Sequence, residues 1–404
     1  MNNLQEKFAR LGVDTAPGQE STQNVTDTGF HGDTISGTPV DFSHGDVNAF
    51  SPIPGSREAF VDGFEEGAQQ AYTEYRGRQR IRADLATRLA IFTGAALDPH
   101  REIILTPGTQ GALFLAMGSC VSRGDKVAIV EPDYFANRKL VEFFDGELVP
   151  VQMNYLHEEN SSGIDLNQLE NAFRSGARLF VFSNPNNPTG AIYARSEIVA
   201  IADLAERYGV TVIADALYSR QIFDGRIYSH YRAQDSADPS RTITVIGPSK
   251  TESLSGFRLG VAIGSADIIE RMEKLQAIVS LRAAGYCQAV LRNWFAEPDG
   301  WMSTRVAQHR VIRDELLDVL RAADGFAARC PEGGSYLFPS IPPISLDIIR
   351  LSKALRLQAG VSVTPGTEFG PQFIRQFRVN FSQDRANAVA AMQRAVKIVE
   401  RYRQ

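Results

Sequence analysis

The chain has 404 residues, 43% hydrophobic and 22% charged, with a net charge of −5, which describes a globular protein with apolar mass for a large core and more than one subdomain. The mild acidity and the lack of a basic stripe argue against a nucleic-acid partner. No run of about 18 apolar residues occurs, so no membrane partner is expected, and Cys120, Cys287 and Cys330, odd in number and without CxxC spacing, offer neither a disulfide framework nor a zinc site.

The opening "MNNLQEKFARLGVDTAPGQESTQ" is polar and lacks an apolar h-region, which points to a cytoplasmic, reduced setting. The first 40 or so residues, rich in Thr, Gly, Ser and Asp, read as an arm or loop. From Arg57, apolar residues at helical spacing ("REAFVDGFEEGAQQAY", "RIRADLATRLAIF") give way to short β-branched runs separated by amphipathic stretches. The runs are "EIILT" (102–106), "KVAIV" (126–130), "ELVPVQ" (147–152), "RLFVFS" (178–183), "VTVIAD" (210–215), "TITVIG" (242–247) and "LGVAIG" (259–264). Strands this apolar, alternating with helices such as Arg195–Tyr208, predict an α/β fold built on a mostly parallel seven-stranded sheet flanked by helices.

After Glu297 the rhythm changes to a long helix (Met302–Ala323), short strands near "GSYLF" and "FRVNF", and a C-terminal helix from Arg385. The expected division is an N-terminal arm and part of a small domain (1–56), a large domain (57–297) and the remainder of a smaller α+β domain (298–404).

In a parallel sheet, ligands sit beyond the C-terminal ends of the strands. After "EIILT", Gly108, Thr109 and Gln110 open a helix whose free N–H groups suit a phosphate. After "RLFVFS" comes "NPNNPTG", a turn set by two prolines and a glycine. "VTVIAD" ends in Asp215, with Tyr218 three residues on, and "TITVIG" delivers Ser249 and Lys250, in a chain with only seven lysines against 35 arginines. A phosphate cradle, an acid, a phenol, an amide and an amine at neighbouring strand ends suit a phosphorylated, aldehyde-bearing aromatic cofactor.

"GPSKTESLSGFRLG", "SNPNNPTG", "DALY" and "FRVNF", spaced 28 residues from Asn187 to Asp215 and 35 from Asp215 to Lys250, resemble the fold-type I pyridoxal phosphate enzymes of the aspartate aminotransferase family, classes I and II. The resemblance runs from about Phe42 to the C-terminal helix and implies pyridoxal 5'-phosphate bound by the large domain. It implies that Lys250 forms the Schiff base with the cofactor and shuttles the substrate proton. Asp215 would pair with the pyridinium nitrogen, its bland alternative being a helix cap. Tyr218 and Asn187 would donate to the ring's phenolic oxygen, and Arg258, with Ser249, would hold the phosphate. Gly247 departs from the family, which often has a phosphate-binding serine there. Tyr134 would stack on the pyridine ring, and Tyr72, with Tyr75 as competitor, would cross a dimer interface to the neighbouring phosphate.

For the substrate, the resemblance assigns Arg378 to the α-carboxylate and Gly45 to a close approach of backbone to substrate. Arg282 in "VSLRAAGYCQAV" either receives a distal carboxylate from across the interface or is a solvated helix-end arginine. The expected function is an aminotransferase that moves an amino group between an L-amino acid and a 2-oxo acid, as a homodimer with a composite site. A lyase, decarboxylase, cyclising synthase or oxidase on the same cofactor shares these motifs. A transcriptional regulator would need a winged-helix domain ahead of the fold, and the segment before Phe42 is too short for one.

Overall fold

The computed structural model describes residues 3–12, 29–45, 48–67, 72–156 and 160–404. The helices are α1 (Asn3–Leu11), α2 (Ser56–Gly67), α3 (Gln79–Thr93), α4 (Gly108–Cys120), α5 (Phe135–Phe143), α6 (Leu166–Arg174), α7 (Arg195–Tyr208), α8 (Ala266–Val279), α9 (Trp301–Arg321), α10 (Ile348–Ala359) and α11 (Arg385–Arg401). The strands are β1 (Val40–Asp41), β2 (Ile103–Pro107), β3 (Lys126–Glu131), β4 (Glu147–Gln152), β5 (Leu179–Ser183), β6 (Thr211–Asp215), β7 (Thr242–Ile246), β8 (Leu259–Gly264), β9 (Tyr336–Leu337), β10 (Val361–Ser362), β11 (Thr364–Pro365) and β12 (Phe377–Asn380). All seven runs read as strands form within a residue of their expected limits. The helical reading of residues 68–71 lies outside the described residues.

Seven strands make one sheet in the order β2-β8-β7-β6-β5-β3-β4. Neighbours are parallel except β8, which runs antiparallel to both β2 and β7. Its central strands are buried on both faces, as their unbroken apolar runs require. α7 shows how a covering helix is specified. Ile198, Ile201, Ala202 and Ala205 repeat at helical spacing and are buried. Each fully buried isoleucine stabilises the fold by about 1.5–3 kcal/mol. Glu197 accepts the Ala194 amide at 2.7 Å at the start, and Gly209 in the left-handed conformation ends the helix.

A second core gathers Phe42 and Phe50 from the N-terminal segment with Leu316 of α9, Leu351 of α10, Val379 of β12 and Met392 of α11. The N-terminal segment enters it as a strand, β1 pairing in parallel with β10, while β11, β12 and β9 form a small antiparallel sheet.

The reading of the first 40 residues as arm or loop needs correction, because Asn3–Leu11 is helical. Leu4, Phe8 and Leu11 lie on one helical face, with Leu11 buried. Lys7 reaches Asp145 at 3.9 Å and the Phe143 ring at 4.6 Å, and Lys139 donates to the Gly12 carbonyl at 3.0 Å, so tertiary contacts with α5 and the turn after it hold a helix that its polar composition disguised.

Candidate active site

The sheet brings the chemistry to one edge. β2, β5, β6 and β7 point their C-terminal ends there, and because β8 is antiparallel its first residue lies there too, Leu259 pairing with Pro107. A cavity of about 230 Å³ opens at this edge, between the large sheet and the second core. Thr109, Gln110, Tyr134, Asn187, Asp215, Tyr218, Ser249, Lys250, Arg258 and Arg378 all line it. Gly108 adjoins it. Gly45 is not in the lining; its neighbours Ser43 and His44 are. Tyr72 and Arg282 lie elsewhere, the Arg282 guanidinium 4.3 Å from the Tyr72 ring and 5.0 Å from the Tyr75 ring.

Lys250 sits on a braced loop. Arg305 donates to the Thr251 carbonyl at 3.1 Å and the Ser253 hydroxyl at 2.8 Å, and the buried Glu252 carboxylate accepts from Arg220 at 2.6 Å and the Trp294 indole at 3.1 Å. No hydrogen bond or ion pair among the described residues engages the Lys250 amine itself, which leaves it available to a ligand.

At one end of the cavity is an anion site. Gly108 has φ +76°, and a Cβ there would stand 2.4 Å from an Arg258 terminal nitrogen, so only glycine lets the start of α4 approach this cation. The unpaired N–H groups of α4 and the Arg258 guanidinium thus face one place, with no carboxylate to neutralise them among the described residues. The Ser249 hydroxyl bonds the Leu259 carbonyl at 3.3 Å. Gly247 has a steric cause: a Cβ there would lie 2.7 Å from the Thr109 methyl, so the serine common in the family would not fit beside this threonine.

The sheet centre supplies the acid. Asp215 is buried at the end of β6 and accepts the Leu217 amide at 3.1 Å. No cation pairs with it among the described residues, and burial pushes its carboxyl up to about 6. A second buried acid, Asp133, escaped the sequence reading. It accepts from the Ser183 amide and hydroxyl at 2.9 and 2.8 Å and from the Tyr134 amide at 2.6 Å, and burial raises it to about 7 despite those bonds. Ser183 in turn accepts the Asn187 amide at 3.0 Å, so Asp133 sets the positions of both Tyr134 and Asn187. The Tyr134 hydroxyl donates to Gln110 at 3.0 Å.

The opposite end is again cationic. Arg378 is 3% exposed, donating to Asn187 Oδ1 at 2.9 Å and the Ser43 carbonyl at 2.8 Å, while its Nε has no partner among the described residues. Its guanidinium lies between the rings of Tyr336 at 4.4 Å and Phe369 at 5.1 Å. Tyr336, also unrecognised from sequence, accepts a hydrogen bond from Tyr218 at 2.7 Å. At the cavity mouth His44 contacts Asp41 at 3.3 Å, and that hydrogen bond, against the opposing effect of burial, lifts its imidazole to about 9.

These residues fit pyridoxal phosphate. The buried Asp215 lacks a cation that a pyridinium would supply, the Gly108–Arg258 cradle lacks an anion that a phosphate would supply, and Lys250 stands between. Arg378, a buried cation without a counter-ion among the described residues, fits a substrate carboxylate. Among the described residues no group of acidic, His and Cys side chains forms a metal site, and no helix is long and apolar enough to cross a membrane.

Comparison with known proteins agrees. An aspartate aminotransferase from Rhodobacter sphaeroides 2.4.1 has a crystal structure that matches with a TM-score of 0.94 and 58% identity, covering 99% of this chain and 100% of that one. The aspartate aminotransferase of Sulfolobus acidocaldarius is 28% identical over 318 residues, 77% of this chain and 78% of the relative. The aspartate/prephenate aminotransferase of Thermus thermophilus is 29% identical over 334 residues, 82% and 83% respectively. Residues 39–394 match the family model of aminotransferase class I and II. The chain therefore belongs to the class I and II aminotransferases, enzymes that use pyridoxal phosphate to transfer an amino group between amino acids and 2-oxo acids.

Proposed function

We propose that this aminotransferase uses L-aspartate as an amino donor, with Lys250 joined to the cofactor and Arg378 gripping the substrate α-carboxylate. The observation that carries the site assignment is Arg378, a buried guanidinium without a carboxylate partner among the described residues, in the same cavity as Lys250 and Asp215. Aspartate is favoured by the 58% identical relative, an aspartate aminotransferase.

Bound pyridoxal phosphate supplies an electron sink for the bond broken at the substrate α-carbon. The protein's residues do the rest. Asp215 would hold the proton of the ring nitrogen, the N terminus of α4 with Arg258 and Ser249 would hold the phosphate, and Tyr134 would pack on the ring. Asn187, its oxygen committed to Arg378, would donate through Nδ2 to the ring oxygen, and the Tyr218 hydroxyl would be the second donor there. The Lys250 amine would take and return the proton at the substrate α-carbon. The Arg378 fork fixes the carboxylate plane and so the direction of the Cα–H bond.

In this reading residues 57–297 form the cofactor domain, and residues 1–56 and 298–404 the small domain. The enzyme is a homodimer. Ile278, Val279 and Leu281 at the end of α8 are exposed just before Arg282 in the chain, and Val61 and Phe64 of α2 are exposed too, apolar surface suited to a second copy. Tyr72, or Tyr75, reaches the phosphate of the second site, and Arg282 its distal carboxylate. Among the described residues Cys120, Cys287 and Cys330 form no disulfide, which suits a reducing cytoplasm.

The test is a single-substrate screen. The cofactor-loaded protein is mixed with individual L-amino acids and no 2-oxo acid, while its visible absorbance and 2-oxo acid release are followed. Stoichiometric oxaloacetate from aspartate is expected, and a protein that reacts with alanine or phenylalanine but not aspartate would overturn the substrate assignment.

A further inference from the structure

We propose that Tyr336 is a positioning residue that competes with the cofactor for the single proton of Tyr218, and so sets the pH at which the bound cofactor titrates. The inference rests on the reading of this cavity as the cofactor site. Tyr218 and Tyr336 are 4% and 5% exposed, their rings meet edge to face with centroids 5.4 Å apart, and the Tyr218 hydroxyl donates to the Tyr336 oxygen at 2.7 Å. A phenol carries one proton. Tyr218 cannot give it fully to Tyr336 and to the cofactor's ring oxygen at once.

The surroundings decide which phenol accepts. Tyr336 is faced by Arg378 of β12 and by Lys250 from the loop after β7, with Asp215 at the end of β6 and Tyr134 before α5 as the other titratable neighbours. The guanidinium lies 4.4 Å from the Tyr336 ring centre, and this cation favours electron density on the Tyr336 oxygen. Burial raises the Tyr336 phenol, but Arg378, Lys250 and the donated hydrogen bond together bring it below its ordinary range. Burial drives the Tyr218 phenol well up, with Tyr336 adding to the rise, and it is the Tyr218 hydroxyl that donates in the contact.

The strand pairing makes this contact. Tyr336 of β9 pairs with Asn380 of β12, so it lies diagonally beside Arg378, two residues away on the same face. Whatever share of the Tyr218 proton goes to Tyr336 is withheld from the cofactor's oxygen. An oxygen with fewer donors keeps more negative charge and holds the neighbouring proton of the lysine–cofactor linkage more tightly.

The experiment is a pH titration of the visible absorbance of the cofactor-loaded protein, in wild type, Tyr336→Phe, Tyr218→Phe and the double variant. Tyr336→Phe keeps the ring beside Arg378 and removes the competing acceptor, so the midpoint should fall by about 0.4 to 1 pH unit, the worth of one neutral hydrogen bond. Tyr218→Phe should raise it, and in that background Tyr336→Phe should have no further effect. An unchanged midpoint in Tyr336→Phe, or an equal shift in both backgrounds, overturns the inference while leaving the cofactor site intact. A wild-type absorbance band that ignores pH overturns the reading of the cavity, and this inference with it.

Discussion

Arg378 and Asn187, 191 positions apart in sequence, are joined by a 2.9 Å hydrogen bond that ties the second core to the large sheet at the substrate end of the cavity. The bond fixes the asparagine amide's orientation, because a guanidinium can only donate and must face the oxygen. It also leaves the guanidinium in want of a negative charge.

The first prediction follows from that want. Arg378→Lys keeps a cation but loses the planar fork, so one charge-assisted bond to the substrate carboxylate disappears. Such a bond is worth roughly 1.5 to 3 kcal/mol, so kcat/KM should fall about 10- to 150-fold or more, and equally for every amino acid that reacts. Steady-state kinetics with aspartate, alanine and phenylalanine measure it, and a loss confined to aspartate would contradict the assignment.

Arg282→Ala is the counterpart. If Arg282 serves the distal carboxylate of the second site, its loss should depress kcat/KM for aspartate and glutamate and spare alanine. A uniform loss would instead mark Arg282 as a support for Tyr72 and Tyr75, whose rings it contacts at 4.3 and 5.0 Å.

Lys250→Ala should leave a folded protein that no longer retains the cofactor after borohydride reduction and denaturation, whereas the wild type carries it covalently. Mass spectrometry of the intact chain reads the difference. Cofactor mass retained on the variant would move the assignment to another amine.

Asp215 predicts a pH-dependent stability in the cofactor-free protein. Burial raises its carboxyl to about 6, above the ordinary 3.8, so the folded chain binds the proton more tightly than the unfolded one. Stability from this group is therefore complete below about pH 4 and lost as pH rises through 6. Asp215→Asn should be the more stable protein at pH 8, by about 2 to 3 kcal/mol, and should match wild type near pH 4. Calorimetry at both pH values measures this. In the cofactor-loaded enzyme the same substitution should slow turnover by orders of magnitude, since an amide cannot hold the ring proton.

Gly247→Ser restores the family's usual residue and should weaken cofactor binding here, because its Cβ would stand 2.7 Å from the Thr109 methyl. Overpacking of this kind costs about 1–3 kcal/mol. In a Thr109→Ser background, which removes that methyl, Gly247→Ser should be tolerated. Cofactor dissociation constants for the two singles and the double decide the matter, and equal penalties in both backgrounds would rule out the steric account.

The strands were legible because each is a short β-branched run buried on both faces, and the strand-end residues because polar side chains following such runs have one place to go. Tyr336 was not legible. "GSYLF" reads as an ordinary strand, and only the pairing of β9 with β12, more than 40 residues later, lays its tyrosine beside Arg378. Asp133 was hidden in the same way, since its partners Ser183 and Asn186 come 50 and 53 positions on. The N-terminal helix was missed because its stability comes from α5, not from its own composition.

The reversed course of β8 has a geometric consequence. It spans six residues, roughly 20 Å at about 3.3 Å each. Were it to run with its neighbours, the residue preceding it would emerge at the far edge of the sheet, a strand's length from Lys250. Inverting one strand lets twelve residues of chain leave the sheet after β7, present the lysine, and return with an arginine at the same rim, so a single out-and-back loop carries both the amine and the phosphate-facing cation. Insertions into that loop would separate two charges that must act on one small molecule, whereas length changes at the opposite rim would leave both in place.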